Sequence, residues 1–327
     1  MSKLSFVAFA LTVATLAAFG STNAHAQGAY PDRQIRIVVP VAPGGLADML
    51  ARAVGQQLGQ ELKQQVLIEN KPGGNFQIGI KEVLAAPADG YTLLVAQEGA
   101  IVLNPHLYST LSYDPLKDLA PISGIAKVDQ VLIVHPSVPA RDGKELIAYA
   151  KSRSGELSFG TFGPGSTPQL YMEMLHDMAG VQFVPVTYRG AAPIMQDLIS
   201  GQIDLSCPEA GQTLPQYRAG SIKAFGVLTR KRWFAAPDVP TLDESGLPGV
   251  EMPFWHGMWA PKGTPQPVID KLNAEVVKAL ADPLVRQRIV DGAGEPATMA
   301  LKDIEPFMQA EITKWAEVVK RAGIKVE

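Results

Sequence analysis

Short apolar runs alternate with stretches of helical periodicity along most of the chain. The apolar runs predict β-strands at residues 35–41, 66–69, 92–96, 131–134, 157–161, 183–187, 203–206 and 222–228. Between them, apolar residues recur at helical spacing, which predicts helices after the first strand and at 168–179, 191–200, 268–280 and 303–322. Such alternation is typical of an α/β fold with mainly parallel sheets that carry helices on both faces.

The first 26 residues have the pattern of a secretory signal peptide. Lys3 precedes an apolar run at residues 4–20, and the small-x-small sequence Ala24-His25-Ala26 follows. The run is short for a membrane span, which needs about 20 residues. We therefore expect cleavage after Ala26 and a protein that acts outside the cytoplasm, where neither ATP nor NAD is at hand. An uncleaved N-terminal anchor is the alternative.

The composition fits a protein of two lobes without a nucleic-acid partner. Hydrophobic residues make up 46% of the 327 residues, and the part beyond residue 26 exceeds the usual size of a single core. The formal net charge is −3, with both signs spread along the chain, so the basic patch that nucleic acid requires is absent. The single cysteine, Cys207, forms no intrachain disulfide, and we expect it to be buried.

A glycine turn between the first strand and the first helix is suited to binding an anion. Pro43-Gly44-Gly45 lets the backbone approach a ligand closely, and the helix that follows directs its free N–H groups and positive dipole end there. We expect a carboxylate to be held by the N–H groups of Gly45, Leu46 and Ala47. For Asp48, in the first helical turn, we favour a capping role over ligand contact.

Similar turns recur before other predicted helices. They are Pro72-Gly73-Gly74-Asn75, the loop at 162–167 and Tyr188-Arg189-Gly190. Ser166 and Thr167 either cap their helix or offer donors to a ligand. The loop at 162–167 is no P-loop, because its glycine spacing is wrong and the lysine is missing. Several amide-rich loops at strand ends are what an open α/β sheet uses to bind small anions.

Catalytic and metal-binding patterns are scarce. The histidines are scattered without zinc-ligand spacing, and there is no G-x-S-x-G elbow, so we expect no metal, no cofactor and no enzyme. Glu98 and Glu209 each follow a predicted strand and can both face one cleft. Solvated loop carboxylates, ligand contacts and a glycosidase-like acid pair are the three interpretations of these glutamates.

Motifs along the whole chain beyond residue 26 resemble those of one family. They are YPDRQIRIVVPVAPGGLAD (30–48), IENKPGG (68–74), PADGYTLLVA (87–96), NPHLYSTLSYDPLKDLAPI (104–122), VTYRGAAPIMQDLISGQIDL (186–205), PDVPTLDESGLPGVE (237–251), APKGTP (260–265) and KWAEVVKRAGIKVE (314–327). Their sequence and order resemble the Bug-type receptors, which are the extracytoplasmic solute-binding proteins of tripartite tricarboxylate transporters.

The resemblance implies a periplasmic binding protein of type II, with two lobes that close on a ligand like a flytrap. Residues 27–127 and 228–327 would form the first, discontinuous lobe and residues 128–227 the second, with two chain crossovers near Lys127 and Leu228. The resemblance also implies which segments grip the ligand. They are the loop at 43–47, the loop that carries Gly165, Ser166 and Thr167, Arg189, and the strand end from Asp204 to Glu209.

Three segments depart from the family pattern and bear on the ligand. Phe76 stands in a turn that is glycine- or alanine-rich in many members, where it either narrows the pocket or packs against its own lobe. Gln97 with Glu98, and the segment from Cys207 to Glu209, are also individual. If both glutamates face the cleft, a ligand with an ammonium, amide or hydroxyl donor beside its carboxylate fits better than a simple dicarboxylate.

The leading functional hypothesis is a monomeric receptor. It captures a small carboxylate or amino-acid-like solute and delivers it to membrane transporter subunits. A secreted hydrolase that uses Glu98 and Glu209 is the first alternative. A receptor that reports its ligand to a sensor kinase is the second.

Overall fold

A computed structural model describes residues 30–163, 165–249, 252 and 254–322, and the predicted signal peptide lies outside these residues. Residues from Arg33 onward form one compact unit, to which the following description applies. Its elements are, in chain order, β1 (Ile35–Val39), α1 (Leu46–Leu62), β2 (Val66–Asn70), α2 (Gln77–Leu84), β3 (Thr92–Gln97), a π-helical turn (Gly99–Leu103), α3 (Asn104–Leu107), β4 (Leu119–Val128), β5 (Val131–Val134), α4 (Gly143–Ser152), β6 (Ser158–Thr161), α5 (Thr167–Ala179), β7 (Val184–Thr187), α6 (Ala191–Ile199), β8 (Leu205–Ser206), α7 (Ala210–Arg218), β9 (Lys223–Val227), β10 (Phe254–Pro261), α8 (Gln266–Ala281), α9 (Pro283–Asp291), β11 (Gly294–Pro296) and α10 (Leu301–Ala322).

The strands form two sheets. The first has the order β11-β4-β10-β3-β1-β2 and the second the order β7-β6-β8-β5-β9. Side chains alternate between faces of a strand. On β1, Ile37 therefore lies towards Gly55 of α1, whereas Val38 shares a hydrophobic cluster with Ile80 of α2. The first sheet thus has helices on both faces, as expected for an α/β fold.

The sheets are mixed where mainly parallel pairing was expected. Strand β1 runs parallel to β2 and β3, and β6 runs parallel to β7 and β8, but β10, β11 and β5 pair with their neighbours antiparallel. The reason is connectivity: β5 and β10 follow a crossing from the other sheet, so each starts at the edge where the parallel strands end.

The two sheets face each other at the edges where their parallel strands end. The chain passes from β4 to β5 through only Asp129 and Gln130. The return path runs beside this crossing, because Leu228 N donates to Gln130 O at 3.0 Å and Met252 N donates to Leu228 O at 2.9 Å. The carboxyl ends of β1 and β3 therefore lie opposite those of β6, β7 and β8, which creates an interlobe cleft.

The segment after β9 packs on the second sheet before the chain returns. Leu242 N donates to Val227 O at 3.0 Å, and the Ser245 hydroxyl accepts from Gly143 N at 2.7 Å. The lobe boundary expected near Leu228 stays a prediction. The structure adds that Thr241 and the residues up to Leu247 lie with the second sheet.

One hydrophobic cluster includes residues of both sheets. It joins Leu94 of β3 and Phe159 of β6 to Trp315 of α10, and all three are buried. Cys207 is fully buried, which confirms the sequence-based expectation. Within the described residues, no helix combines the length and apolar character that crossing a membrane requires.

Candidate functional site

The helices that start at the cleft are not capped by side chains. Helices α1, α2, α5, α6 and α7 each follow a strand that ends at the cleft, and none has a side-chain hydrogen bond at its N-cap. Helices α4 and α9 start elsewhere, and Asp142 and Asp282 cap them. Unbonded first-turn amides and the positive ends of helix dipoles favour an anion. The cleft edge is therefore a place for negatively charged ligand groups.

The loop before α1 is held by Asp48 so that its amides stay open. The Asp48 carboxylate accepts hydrogen bonds of 3.0 Å from Gly44 N, Arg52 Nε and Asn70 Nδ2. Burial alone would raise the pKa of Asp48, but these hydrogen bonds outweigh burial and lower it. Asp48 thus supports the turn, as expected. Among the described residues, nothing accepts a hydrogen bond from the N–H groups of residues 45–47, and Gly45 and Leu46 are partly exposed while Ala47 is buried.

The hydroxyl of Ser166 shapes the loop before α5. It donates to Gly163 O at 2.7 Å and accepts from Phe162 N at 3.3 Å, so it is not used to cap the helix. Gly163 and Gly165 have φ values of +97° and +78°, which glycine adopts without strain. Two buried glycines thus shape the turn directly before α5.

A hydrogen bond between Glu98 and Thr167 connects the two lobes. Glu98 follows β3 of the first sheet and is 0% exposed, whereas Thr167 begins α5 beside the second sheet. Thr167 Oγ1 donates to Glu98 Oε1 at 3.1 Å, and Glu98 Oε2 has no partner among the described residues. The lobes are therefore in contact across the cleft in this structure.

Glu209 lies close enough to Glu98 to affect it electrostatically. Burial raises the pKa of Glu98 well above its usual value, the Thr167 hydrogen bond opposes this rise, and the negative charge of Glu209 adds to it. Glu209 precedes α7, is half-buried, and has its pKa raised to about 7 by the same loss of water. Two carboxyl groups from different lobes therefore share one poorly hydrated region.

Gln97 and His256 are polar residues on adjacent strands of the first sheet. They are direct neighbours in the pairing of β3 with β10. His256 is 1% exposed, neither ring nitrogen has a partner among the described residues, and burial lowers the pKa of His256 to about 3. His256 is therefore neutral at pH 7. His256 was not among the predicted site residues, because nothing in the pattern of this fully buried strand sets it apart.

Phe76 packs against its own lobe. Its Cε2 lies 3.4 Å from the position that a Cβ on Gly99 would occupy, so the ring packs directly against this residue of the π-helical turn. Asn104 holds the turn that carries Phe76, because its Nδ2 donates to Asn75 O at 2.8 Å and its Oδ1 accepts from Asn75 Nδ2 at 2.9 Å. Of the two roles expected for Phe76, this is the packing role.

Two expected site residues lie apart from the glutamates. Asp204 stands at the amino end of β8, on the edge away from the cleft, where its Oδ2 accepts from Ser158 N and Oγ at 2.8 and 2.7 Å. Its expected ligand contact is therefore replaced by a role in joining β6 to β8. Arg189 lies at the cleft edge before α6, is exposed, and has no ion pair with any described residue.

The described surface also has an open groove of about 900 Å³ at the opposite end of the second sheet. Arg141, Arg218 and Lys223 line it. The Lys223 ammonium already donates to the backbone oxygens of Val138 and Ala140. No group of three or more metal-ligating side chains occurs in the part of the chain that the structure describes.

The family model for the tripartite tricarboxylate transporter family receptor matches residues 50–324. The chain belongs to this family. The structure of the periplasmic binding protein BugD is 36% identical with a TM-score of 0.83, and covers 91% of this chain and 100% of that one. Membership confirms the resemblance inferred from the motifs and, with the two-sheet architecture, the expected binding-protein fold. Proteins of this family are solute-binding receptors.

Two further solved structures of similar proteins contain ligands. Rpa4515 of R. palustris with adipate is 35% identical with a TM-score of 0.84, and covers 90% of this chain and 99% of that chain. MatC of Rhodopseudomonas palustris with bound malate is 32% identical with a TM-score of 0.81, and covers 89% and 100%.

Proposed function

We propose that the protein is a monomeric periplasmic receptor that binds a small carboxylate-containing solute between its lobes and delivers it to membrane transporter subunits. The observation that carries this proposal is the set of amides at Gly45, Leu46 and Ala47, which have no acceptor among the described residues at the start of α1. Uncapped helix starts of this kind bind carboxylates. The adipate and malate bound by the two similar proteins are of the same chemical class.

Capture would proceed by closure of the lobes about their crossings. Asp129 and Gln130 provide one crossing, and the return path through Leu228 and Met252 is hydrogen-bonded to it. Hinge motion at two adjacent segments lets the lobes separate and admit the solute. Closure then removes water, forms the contact between Thr167 and Glu98, and produces the state that a transporter subunit would recognise.

Thermal unfolding with a panel of organic acids tests the proposal. The protein is first unfolded and refolded to remove any solute that it retained, and succinate, malate and adipate are then added singly. Binding to the folded state raises the Tm, by linkage. Gly45 has φ −79° and only Ala42 O, at 4.0 Å, near its missing side chain, so Gly45→Val should fold normally. It should nevertheless lose the ligand-induced shift, because the valine stands over the amides.

Gly45→Ala is the graded control and should lose only part of the shift. A panel without any effect on the wild-type Tm would refute carboxylate binding. A full shift in Gly45→Val would refute the assignment of the carboxylate to the amides of α1.

A further inference from the structure

The cleft contains two chemically opposite regions. The uncapped starts of α1, α5, α6 and α7 favour negative charge, yet Glu98 and Glu209 place two acids beside them. The carboxyl groups do not neutralise the helix starts by capping, because the N-caps of α5 and α7 have no side-chain hydrogen bond. An anion on the open amides of α1 therefore leaves the acids unbalanced.

The acids have no cationic partner in the described part of the chain. Glu98 Oε2 is buried without any hydrogen bond, and the Thr167 hydroxyl is the donor to Oε1. Among the described residues, no lysine, arginine or histidine forms a hydrogen bond or an ion pair with the side chain of Glu98 or Glu209. Arg189, at the cleft edge before α6, is exposed and has no ion pair with any described residue. A buried carboxyl oxygen without a donor, such as Glu98 Oε2, is costly, so this arrangement favours a donor group that comes from outside.

We propose that the solute carries an ammonium group in addition to its carboxylate, and that Glu98 and Glu209 bind the ammonium, so that the receptor selects amino carboxylates over unsubstituted carboxylic acids. This inference rests on the proposed function. The ammonium has three donors, which suit Glu98 Oε2 and the Glu209 carboxylate, and the carboxylate takes the amides of α1. Both charged ends of a zwitterionic solute are thereby paired when the lobes close.

Calorimetric titration at pH 7.5 with matched acids tests this. One series is succinate, malate and aspartate, which differ only in a hydrogen, a hydroxyl or an ammonium group at one carbon; the second is adipate and 2-aminoadipate. The aminated member of at least one series should bind at least about tenfold more tightly than the unsubstituted member.

Two amide variants test whether Glu98 and Glu209 cause the preference for aminated acids. Glu98→Gln keeps the shape of the side chain and an oxygen for the Thr167 hydroxyl, and Glu209→Gln removes the second charge. Each should reduce affinity for the aminated acid at least about tenfold and leave the unsubstituted acid equal or tighter. Glu275→Gln, on α8 and ion-paired with Lys278 outside the cleft, is the control and should change neither. Glu98→Asp retains the charge and replaces Glu98→Gln if that variant does not fold.

The outcomes separate the inference from the proposed function. Binding of unsubstituted acids as tight as that of their aminated partners overturns the inference and leaves the receptor proposal standing. A preference for the aminated acid that persists in both amide variants also overturns the inference. The inference fails as well if neutral Glu98 donates a hydrogen bond to a second ligand carboxylate. If no carboxylate of either kind binds, the proposed function itself fails.

Discussion

Removing the charge of Glu209 should stabilise the protein, increasingly so as pH rises. Burial raises the pKa of this carboxyl from 4.5 to about 7 in the folded state. Between these values the folded protein binds more protons than the unfolded chain, so the free energy of unfolding falls with increasing pH. The loss begins near pH 4.5 and is complete above pH 7. The glutamine in Glu209→Gln is neutral at every pH, so the variant does not lose this part of the free energy of unfolding.

The size of the effect follows from the shift. One pKa unit corresponds to about 1.4 kcal/mol, so the shift to about 7 gives about 3 kcal/mol at pH 7.5. This figure is an upper limit, because water reaches the half-buried side chain. The substitution also removes the repulsion that raises the pKa of Glu98, and that second contribution has the same sign.

Urea unfolding at several pH values measures the difference between the variant and the wild type. Near pH 4 both side chains are neutral and similar in shape, so the two proteins should have equal stability, which serves as an internal control. At pH 7.5 the variant should be more stable by about 2–3 kcal/mol with an unchanged dependence on urea. A difference that does not vary with pH, or a variant less stable at pH 7.5, would refute the reasoning.

Two further substitutions test contacts between the lobes. Thr167→Val leaves buried Glu98 without its donor and should lower the free energy of unfolding by about 1–3 kcal/mol. Thr167→Ser keeps the hydroxyl and should retain the wild-type value. Equal losses in both variants would contradict the role of the hydroxyl. Gly211→Ala places a Cβ 2.6 Å from Gly292 O of the other lobe, so it should lower the free energy of unfolding by about 1–3 kcal/mol. It should also push the lobes apart and increase the radius of gyration measured by X-ray scattering. Gly190→Ala has nothing within 4 Å of its new Cβ and is the matched control, so a similar loss there would refute the steric argument.

The hydrophobic pattern located most strands but not their directions. The predicted strands at 35–41 and 92–96 correspond to Ile35–Val39 and Thr92–Gln97. Leu119–Val128 was missed because Pro121 and Gly124 interrupt its apolar pattern. Phe254–Pro261 was not predicted as a strand, since a central strand buried on both faces shows no polar alternation. Both strands run antiparallel to their neighbours, so missing them made the sheets look mainly parallel.

The site was predictable where it depends on local sequence and not where it depends on contact across the cleft. Glycine turns before helices identified the loops of α1 and α5. The contact of Glu98 with Thr167, 69 residues apart, depends on how two lobes meet. Asp204 and Glu209 flank the short strand Leu205–Ser206. Glu209 follows its carboxyl end, which lies at the cleft, whereas Asp204 precedes its amino end, which lies at the opposite edge of the sheet.

The open amides of α1 and the unpaired oxygen of Glu98 together support a ligand that carries both charges. A side-chain cap contributes about 1 kcal/mol, and Asp142 and Asp282 supply one to α4 and α9, whereas α8, which also starts away from the cleft, has none. At the cleft, Ser166 is chemically able to cap α5, yet its hydroxyl bonds within the loop instead. The fold therefore leaves amides open at the same edge where it buries a carboxylate oxygen of Glu98 without a donor. An anion alone would satisfy the amides and a cation alone the acids, whereas an amino carboxylate satisfies both in one closure.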